Sequence, residues 1–141
     1  MIGEYPYSKR SYYPHLRSDE SLLYDSLLFA RPLLFDSVDF DVRVGSGQPT
    51  HEPILKQTYK DLKDLSKWRI DLIGYNGTSA TIIELKTNPR AGVVGQLLCY
   101  QFLYSLKFSN STNIKLLLVT NVLVQDLKTC LDHFRIKYII L

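Results

Sequence analysis

Asp71 and, with 12 residues between, the run Glu84-Leu85-Lys86 are the parts of this chain best equipped for chemistry. Two carboxylates brought to one face of a fold can grip a divalent cation, and an ammonium beside them can steer or activate water. Together they are the equipment for hydrolysing a phosphodiester. Carboxylate and carbonyl oxygens suit Mg²⁺ or Mn²⁺ better than zinc. These residues lead to the expectation of a nuclease.

The elements that must position them can be read from the letters. Residues 68–75 and 80–87 are strand-like, and Asn76-Gly77 between them is a hairpin signal. A two-residue turn at Asn76-Gly77 pairs Tyr75 with Thr78 and sets Asp71 opposite Ile82. A four-residue loop from Asn76 to Ser79 pairs Tyr75 with Ala80 and sets Asp71 opposite Glu84. In either register, alternation predicts Asp71, Glu84 and Lys86 on one face and Ile70, Leu72, Ile83 and Leu85 on the other. The runs are otherwise apolar, so the sheet is expected to be covered on both sides. An unpaired carboxylate is costly there, and a bound cation offsets that cost. The plainer explanation is a solvated strand face carrying a chance D…ExK pattern.

Around this hairpin the chain reads as one continuous domain. Ser18-Asp19-Glu20 opens a helix, with Ser18 as cap and Leu22, Leu23, Leu27 and Leu28 as its buried stripe, and Arg31-Pro32 ends it. Glu20 there has a simple explanation as charge at a helix start. Residues 37–44 alternate as a strand, with Val38, Phe40, Val42 and Val44 on one side. Asp39, Asp41 and Arg43 lie on the other, and an exposed or edge face accounts for the two acids better than a role as a further acid of the site. Residues 50–67 carry Lys56, Lys60, Lys63 and Lys67 at roughly helical spacing, either a solvated face or a track for one DNA strand; His51 precedes them in a loop. A helix follows from about Ala91 to Lys107, in which Gln96, Tyr100 and Lys107 fall near one stripe. Val93, Val94, Leu97, Leu98, Phe102 and Leu106 make its apolar faces. Strand 114–120, helix 122–134 and strand 136–141 close the chain, and a strand-helix-strand unit of this length implies a parallel crossover. The class is α/β, a mixed central sheet flanked by helices.

Composition sets limits without naming a function. The 141 residues suffice for one domain with a sizeable core. Cys99 and Cys130 lack metal-site spacing and are expected as reduced core residues. No run of about 20 apolar residues and no secretory signal pattern is present, so a soluble, cytoplasmic protein without a membrane role is expected. A net charge of +3 is too small to indicate nucleic acid. Its distribution is more informative: residues 1–17 form a basic, tyrosine-rich arm, with Lys9, Arg10 and Arg17 among Tyr5, Tyr7, Tyr12 and Tyr13. Such an arm suits either DNA contact or a strap packed on the domain formed by residues 18–141.

Three segments taken together, Arg69-Ile70-Asp71-Leu72, Ile82-Ile83-Glu84-Leu85-Lys86 and Val94-Gly95-Gln96-Leu97-Leu98-Cys99-Tyr100, resemble the PD-(D/E)XK nuclease superfamily. Within it, the chain is similar to the RecB-like C-terminal domain of the NucS/EndoMS mismatch endonucleases. The likeness runs from about Glu20 to the end, with Ile70 in place of the name-giving proline. It implies a restriction-endonuclease-like core in which Asp71, Glu84 and the Leu85 carbonyl hold the metal. It further implies that Lys86 handles the water, that Gln96 and Tyr100 belong to a helical motif facing the site, and that Glu20 is an acid on the first helix. A polar seam of local hydrogen bonds also explains Gln96 and Tyr100. The expected partner is double-stranded DNA. The expected protein is a compact homing- or phage-type endonuclease acting as a homodimer, because cutting both strands needs two sites. A structure- or mismatch-specific repair nuclease and a non-catalytic nucleic-acid-binding domain of the same fold are the alternatives.

Overall fold

The computed structural model describes residues 3–47, 68–108 and 113–141. The basic stretch 50–67 and His51 lie outside the described residues. The elements, in chain order, are β1 (Tyr5–Pro6), α1 (Ser18–Ala30), β2 (Ser37–Val44), β3 (Trp68–Asn76), β4 (Ser79–Leu85), α2 (Gly92–Lys107), β5 (Asn113–Thr120), α3 (Gln125–His133) and β6 (Lys137–Ile140). Six strands form one sheet in sequential order from β1 to β6. The first four are antiparallel, and β5 and β6 continue the sheet in parallel after the α2 and α3 crossovers. The α/β class and mixed sheet expected from the sequence are therefore present. No helix among the described residues is long and apolar enough to cross a membrane.

Each face of the sheet buries its own core. On one side Ile73, Ile82, Leu116 and Leu118 pack with Val93, Leu97 and Tyr104 of α2 and Leu127 and Leu131 of α3. On the other, Leu72, Ile83, Leu85, Leu117 and Val119 pack with Leu23, Tyr24 and Leu27 of α1. Burial on both faces explains why β4 and β5 read as nearly unbroken apolar runs. Several helical positions expected in the core face outward instead: Leu22 on α1, Phe102 and Leu106 on α2. Cys99 and Cys130 are likewise exposed free thiols rather than core residues, each falling on the outer side of its amphipathic helix.

The arm is a strap. Tyr5–Pro6 adds a short edge strand to β2, and Tyr7 and Tyr13 are buried in the core beneath α1. Tyr13 meets Tyr24 edge-on at 4.7 Å between ring centroids and stacks on Phe40 at 5.9 Å. Its hydroxyl donates to the Asp25 carboxylate, and the Tyr7 hydroxyl donates to the Arg31 carbonyl. Both rings are thus spent on packing, and only Tyr12 of the four stays exposed.

Two departures from simple alternation shape the site. First, the hairpin pairs Tyr75 with Ala80 and closes through Asn76↔Ser79, so the turn is Gly77-Thr78. Gly77 takes the left-handed conformation there, φ +54°. This is the register that heads Asp71 toward Glu84, but the ladder stops at Leu72↔Ile83, one step short of them. Second, the β2–β3 ladder skips the pair Asp41 and Asp71 between Phe40↔Leu72 and Val42↔Ile70. Asp41 has φ +54°, and the side-chain pattern changes sides at this point. Val38, Phe40 and Leu72 belong to the α1 core, whereas Val44 and Ile70 belong to the α2 core, with Val42 packed against it. The expectations that Val38 through Val44 share a side, and that Ile70 shares one with Leu72, are corrected by this reversal. A left-handed residue within a strand breaks the period of two.

If the strap is part of the core, Tyr13→Ala leaves a cavity between Tyr24 and Phe40 and costs about 3 kcal/mol in urea unfolding, as for other buried aromatics. A loss below about 0.5 kcal/mol would mean that the arm does not pack.

Candidate active site

Beyond the last paired residues, Leu72 and Ile83, an open pocket of about 320 Å³ is lined by Glu20, Asp71, Glu84, Leu85 and Lys86, by Gln96 and Tyr100, and by His15, Arg17 and Arg69. It gathers side chains from the strap, α1, β3, the end of β4 and α2. A larger apolar groove of about 470 Å³ beside α2, lined by Trp68, Leu98, Phe102 and Leu103 among others, holds no carboxylate or cation. The candidate site is the polar pocket, where the titratable side chains gather.

Glu20 arrives because α1 begins beside the end of β4. Arg17, not Ser18, occupies the N-cap, and its backbone N–H donates to Glu20 Oε1 at 3.4 Å while its Nε donates to the same oxygen at 2.7 Å. Thr87 Oγ1 donates to Asp19 at 3.5 Å, tying the helix start to the strand end. Glu20 is only 5% exposed, so the charge at a helix start also points into the pocket. Glu84 is 4% exposed and follows from the end of β4, where Lys86 continues the strand direction by donating its N–H to the Val119 carbonyl at 3.0 Å. The Leu85 side chain belongs to the α1 core, which leaves its backbone as the part that faces the pocket. On α2, Gln96 Nε2 donates to the Tyr100 hydroxyl at 3.0 Å.

The electrostatics show what this crowding does. Burial, then the charge of Glu20 and a hydrogen bond with it, pushes Asp71 up to about 7, against the weaker opposing pull of Arg69 and Arg17. Burial and the charge of Asp71 push Glu84 up to about 8, with Lys86 pulling the other way. Near neutrality the folded protein thus holds protons on acids that water would leave ionised. Among the described residues no three His, Cys, Asp or Glu side chains are drawn into a tight metal cluster; Glu20 is held by Arg17 and the acids repel one another. In kind, the donors fit a hard divalent cation: carboxylate oxygens and a backbone carbonyl, beside acids that retain protons for want of positive charge.

Every residue assigned a catalytic or metal role from the sequence, namely Asp71, Glu84, Leu85, Lys86, Gln96 and Glu20, lines this one pocket, as do Tyr100 of the helical motif and Arg17 of the basic arm. Lys9 and Arg10 do not, and Arg10 lies over the Tyr5 ring at 4.5 Å. Lys107, expected to share a stripe with Gln96 and Tyr100, instead donates to the Arg43 carbonyl at 2.6 Å at the far end of α2. Three pocket-side residues escaped the sequence reading. Asp41 lies 3.2 Å from His15 Nε2 and 2.8 Å from Arg69 Nε, where an edge position had been expected. Only Arg69, inside the Arg69-Ile70-Asp71-Leu72 segment, left a signal in the sequence. No family model, curated protein or solved structure matches this chain.

The raised carboxyls have a signed consequence. Between their ordinary values, 3.8 and 4.5, and their folded values, about 7 and 8, the folded state holds more protons than the unfolded one. Their contribution to stability is therefore greatest on the acid side and is lost as pH rises through 7 and 8. Glu84→Gln is expected to gain on the order of 2 kcal/mol over the parent at pH 8.5, and little at pH 4. Urea titrations across this range check it; equal stability at both pH values rejects the buried, repelled carboxylate.

Proposed function

We propose that this protein is a metal-dependent DNA endonuclease of the PD-(D/E)XK kind, hydrolysing phosphodiester bonds with Mg²⁺ or Mn²⁺. The observation that carries the proposal is the meeting of Asp71, Glu84, Glu20 and Lys86 in one open pocket, where the buried acids hold protons beside cations. Structural ion pairs are normally arranged to satisfy charge, whereas a cleft that concentrates like charge is built for a ligand of opposite sign. Asp71, Glu84 and the Leu85 carbonyl would hold the ion. When bound, it supplies charge to the scissile phosphate and makes a nearby water more acidic.

The chain's own groups do the rest. Asp71 and Glu84 give up their protons to become ligands. Lys86, whose charge reaches Glu84, places an ammonium where the attacking water and the developing negative charge must lie. Gln96, its amide fixed by the Tyr100 hydroxyl, orients that water in line with the ester bond that breaks. The attacking water loses its proton to solvent as its oxygen bonds to phosphorus, and the departing oxygen takes a proton from solvent. Cutting both strands of a duplex requires two such pockets, so the working form is a homodimer of a compact site-specific enzyme.

Incubation of the protein with plasmid in Mg²⁺ or in EDTA tests this directly. Cleavage is expected only with the metal, and a panel of mismatched and branched duplexes then sorts target preference. Lys86→Ala is expected to lower the cleavage rate by about 10³-fold while leaving binding nearly intact. Asp71→Asn and Glu84→Gln are expected to abolish cleavage and also the rise in melting temperature that Mg²⁺ gives the parent. Full cutting by Lys86→Ala, or metal-independent cutting by the parent, rejects the assignment.

A further inference from the structure

Asp41 is the joint of a second charged cluster at the same pocket. Its side chain is 14% exposed and contacts two basic side chains from different parts of the chain, the His15 imidazole from the strap and the Arg69 guanidinium from β3. Those side chains are 50% and 39% exposed and both line the pocket that holds the acids. The arrangement is held at a cost. His15 and Asp41 both adopt left-handed backbone conformations, φ +60° and +54°, which non-glycine residues rarely take unless the surroundings enforce them. The ladder between β2 and β3 is interrupted at the same place. Asp41 Oδ1, although 2.8 Å from Arg69 Nε, accepts no aligned hydrogen bond, so the contact is one of charge and position. A pair made only for stability would not need strain and a broken ladder, because exposed ion pairs contribute little.

Arg69 is thereby held by charge at its Nε edge, and among the described residues no contact engages the two terminal nitrogens of its fork, the geometry suited to phosphate oxygens. Its charge is felt by Asp71 and by Tyr100, which locates it beside the acids rather than away from them. The neighbouring cation Arg17 is engaged by Glu20 and Asp19. Lys86 is the cation nearest Glu84 in its effects. The Arg69 guanidinium, with the His15 imidazole beside it as a further donor, is thus the rim group that neither of these tasks uses.

We propose that Arg69 and His15, held by Asp41, form a subsite for a nucleic-acid backbone phosphate adjoining the one that is cleaved. Asp41 is a positioning residue in it, and the subsite fixes the strand's register over the acids. Contacts of this kind position a duplex without reading its sequence. The inference rests on the nucleic-acid reading above, and its test uses no catalysis.

A fluorescein-labelled DNA duplex is titrated with the full chain in EDTA, by anisotropy, over a series of salt concentrations. Arg69→Gln is expected to weaken binding about tenfold at low salt. It should also lower the slope of log K against log salt by about one, the signature of one lost phosphate contact. His15→Gln should weaken binding about threefold. Asp41→Asn removes a negative charge, which by charge alone favours DNA; as the anchor of Arg69 it should weaken binding and lower the slope. Lys128→Gln, on α3 and outside the pocket lining, is the equal-charge control and should leave the slope within error. An unchanged slope in Arg69→Gln, tighter binding by Asp41→Asn, or no salt-dependent binding by the parent overturns the subsite. Slopes that fall as expected in a protein that cuts no plasmid would keep the subsite and remove the nuclease; plasmid cleavage with unaltered slopes would do the reverse.

Discussion

A carboxylate removed from water must find a cation, a set of donors or a proton, and a second carboxylate beside it makes the need greater. Asp71 and Glu84 stand under that constraint, with Glu20 pressing on both. Much of the surrounding structure can be understood as a response to it. Arg17 comes from the strap side to hold Glu20, Lys86 extends past β4 to face Glu84, and Arg69 offsets Asp71 from two residues upstream. These cations reduce the repulsion without cancelling it, since both acids remain well above their ordinary range. The residual imbalance is the ground on which a bound cation is proposed.

The pocket exists because the sheet fails locally. The β3–β4 ladder ends before Asp71 and Glu84, and the β2–β3 ladder skips Asp41 and Asp71. A fully paired sheet at this point would close these residues between packed layers and leave no room for a ligand. The change of side at Asp41 also hands the strands from the α1 core to the α2 core. A polar cleft therefore sits at the boundary between two apolar layers, where neither core loses packing by its presence. Low polarity on two sides strengthens every charge interaction inside.

The strap connects these parts. Tyr7 and Tyr13 anchor it in the α1 core, and from that anchorage the chain carries His15 and Arg17 to the rim. Of the readings its composition allowed, the packed strap is the one present, a fixed element that delivers two side chains. The rings that looked suited to stacking on bases pack within the protein instead, Tyr7 and Tyr13 edge-on against Tyr24 and Tyr13 stacked on Phe40.

The sequence by itself determined the five longer strands, the three described helices and the acids that meet in the pocket, but not the short edge strand of the arm. Apolar alternation, turn residues and the D…ExK spacing are local patterns, and local geometry is enough to read them. It also limited the hairpin to two registers, one of which points Asp71 at Glu84. The choice between them was tertiary, because β2, β5 and both cores bear on the same strands and only one register satisfies all of them. The reversal at Asp41 was equally hidden: a left-handed aspartate is uphill on its own and persists only while His15, Arg69 and two cores hold it. For the same reason the fate of the arm and the use of Glu20 could not be read from spacing. Both depend on which groups from distant parts of the chain arrive beside them, and a one-dimensional pattern carries no term for that.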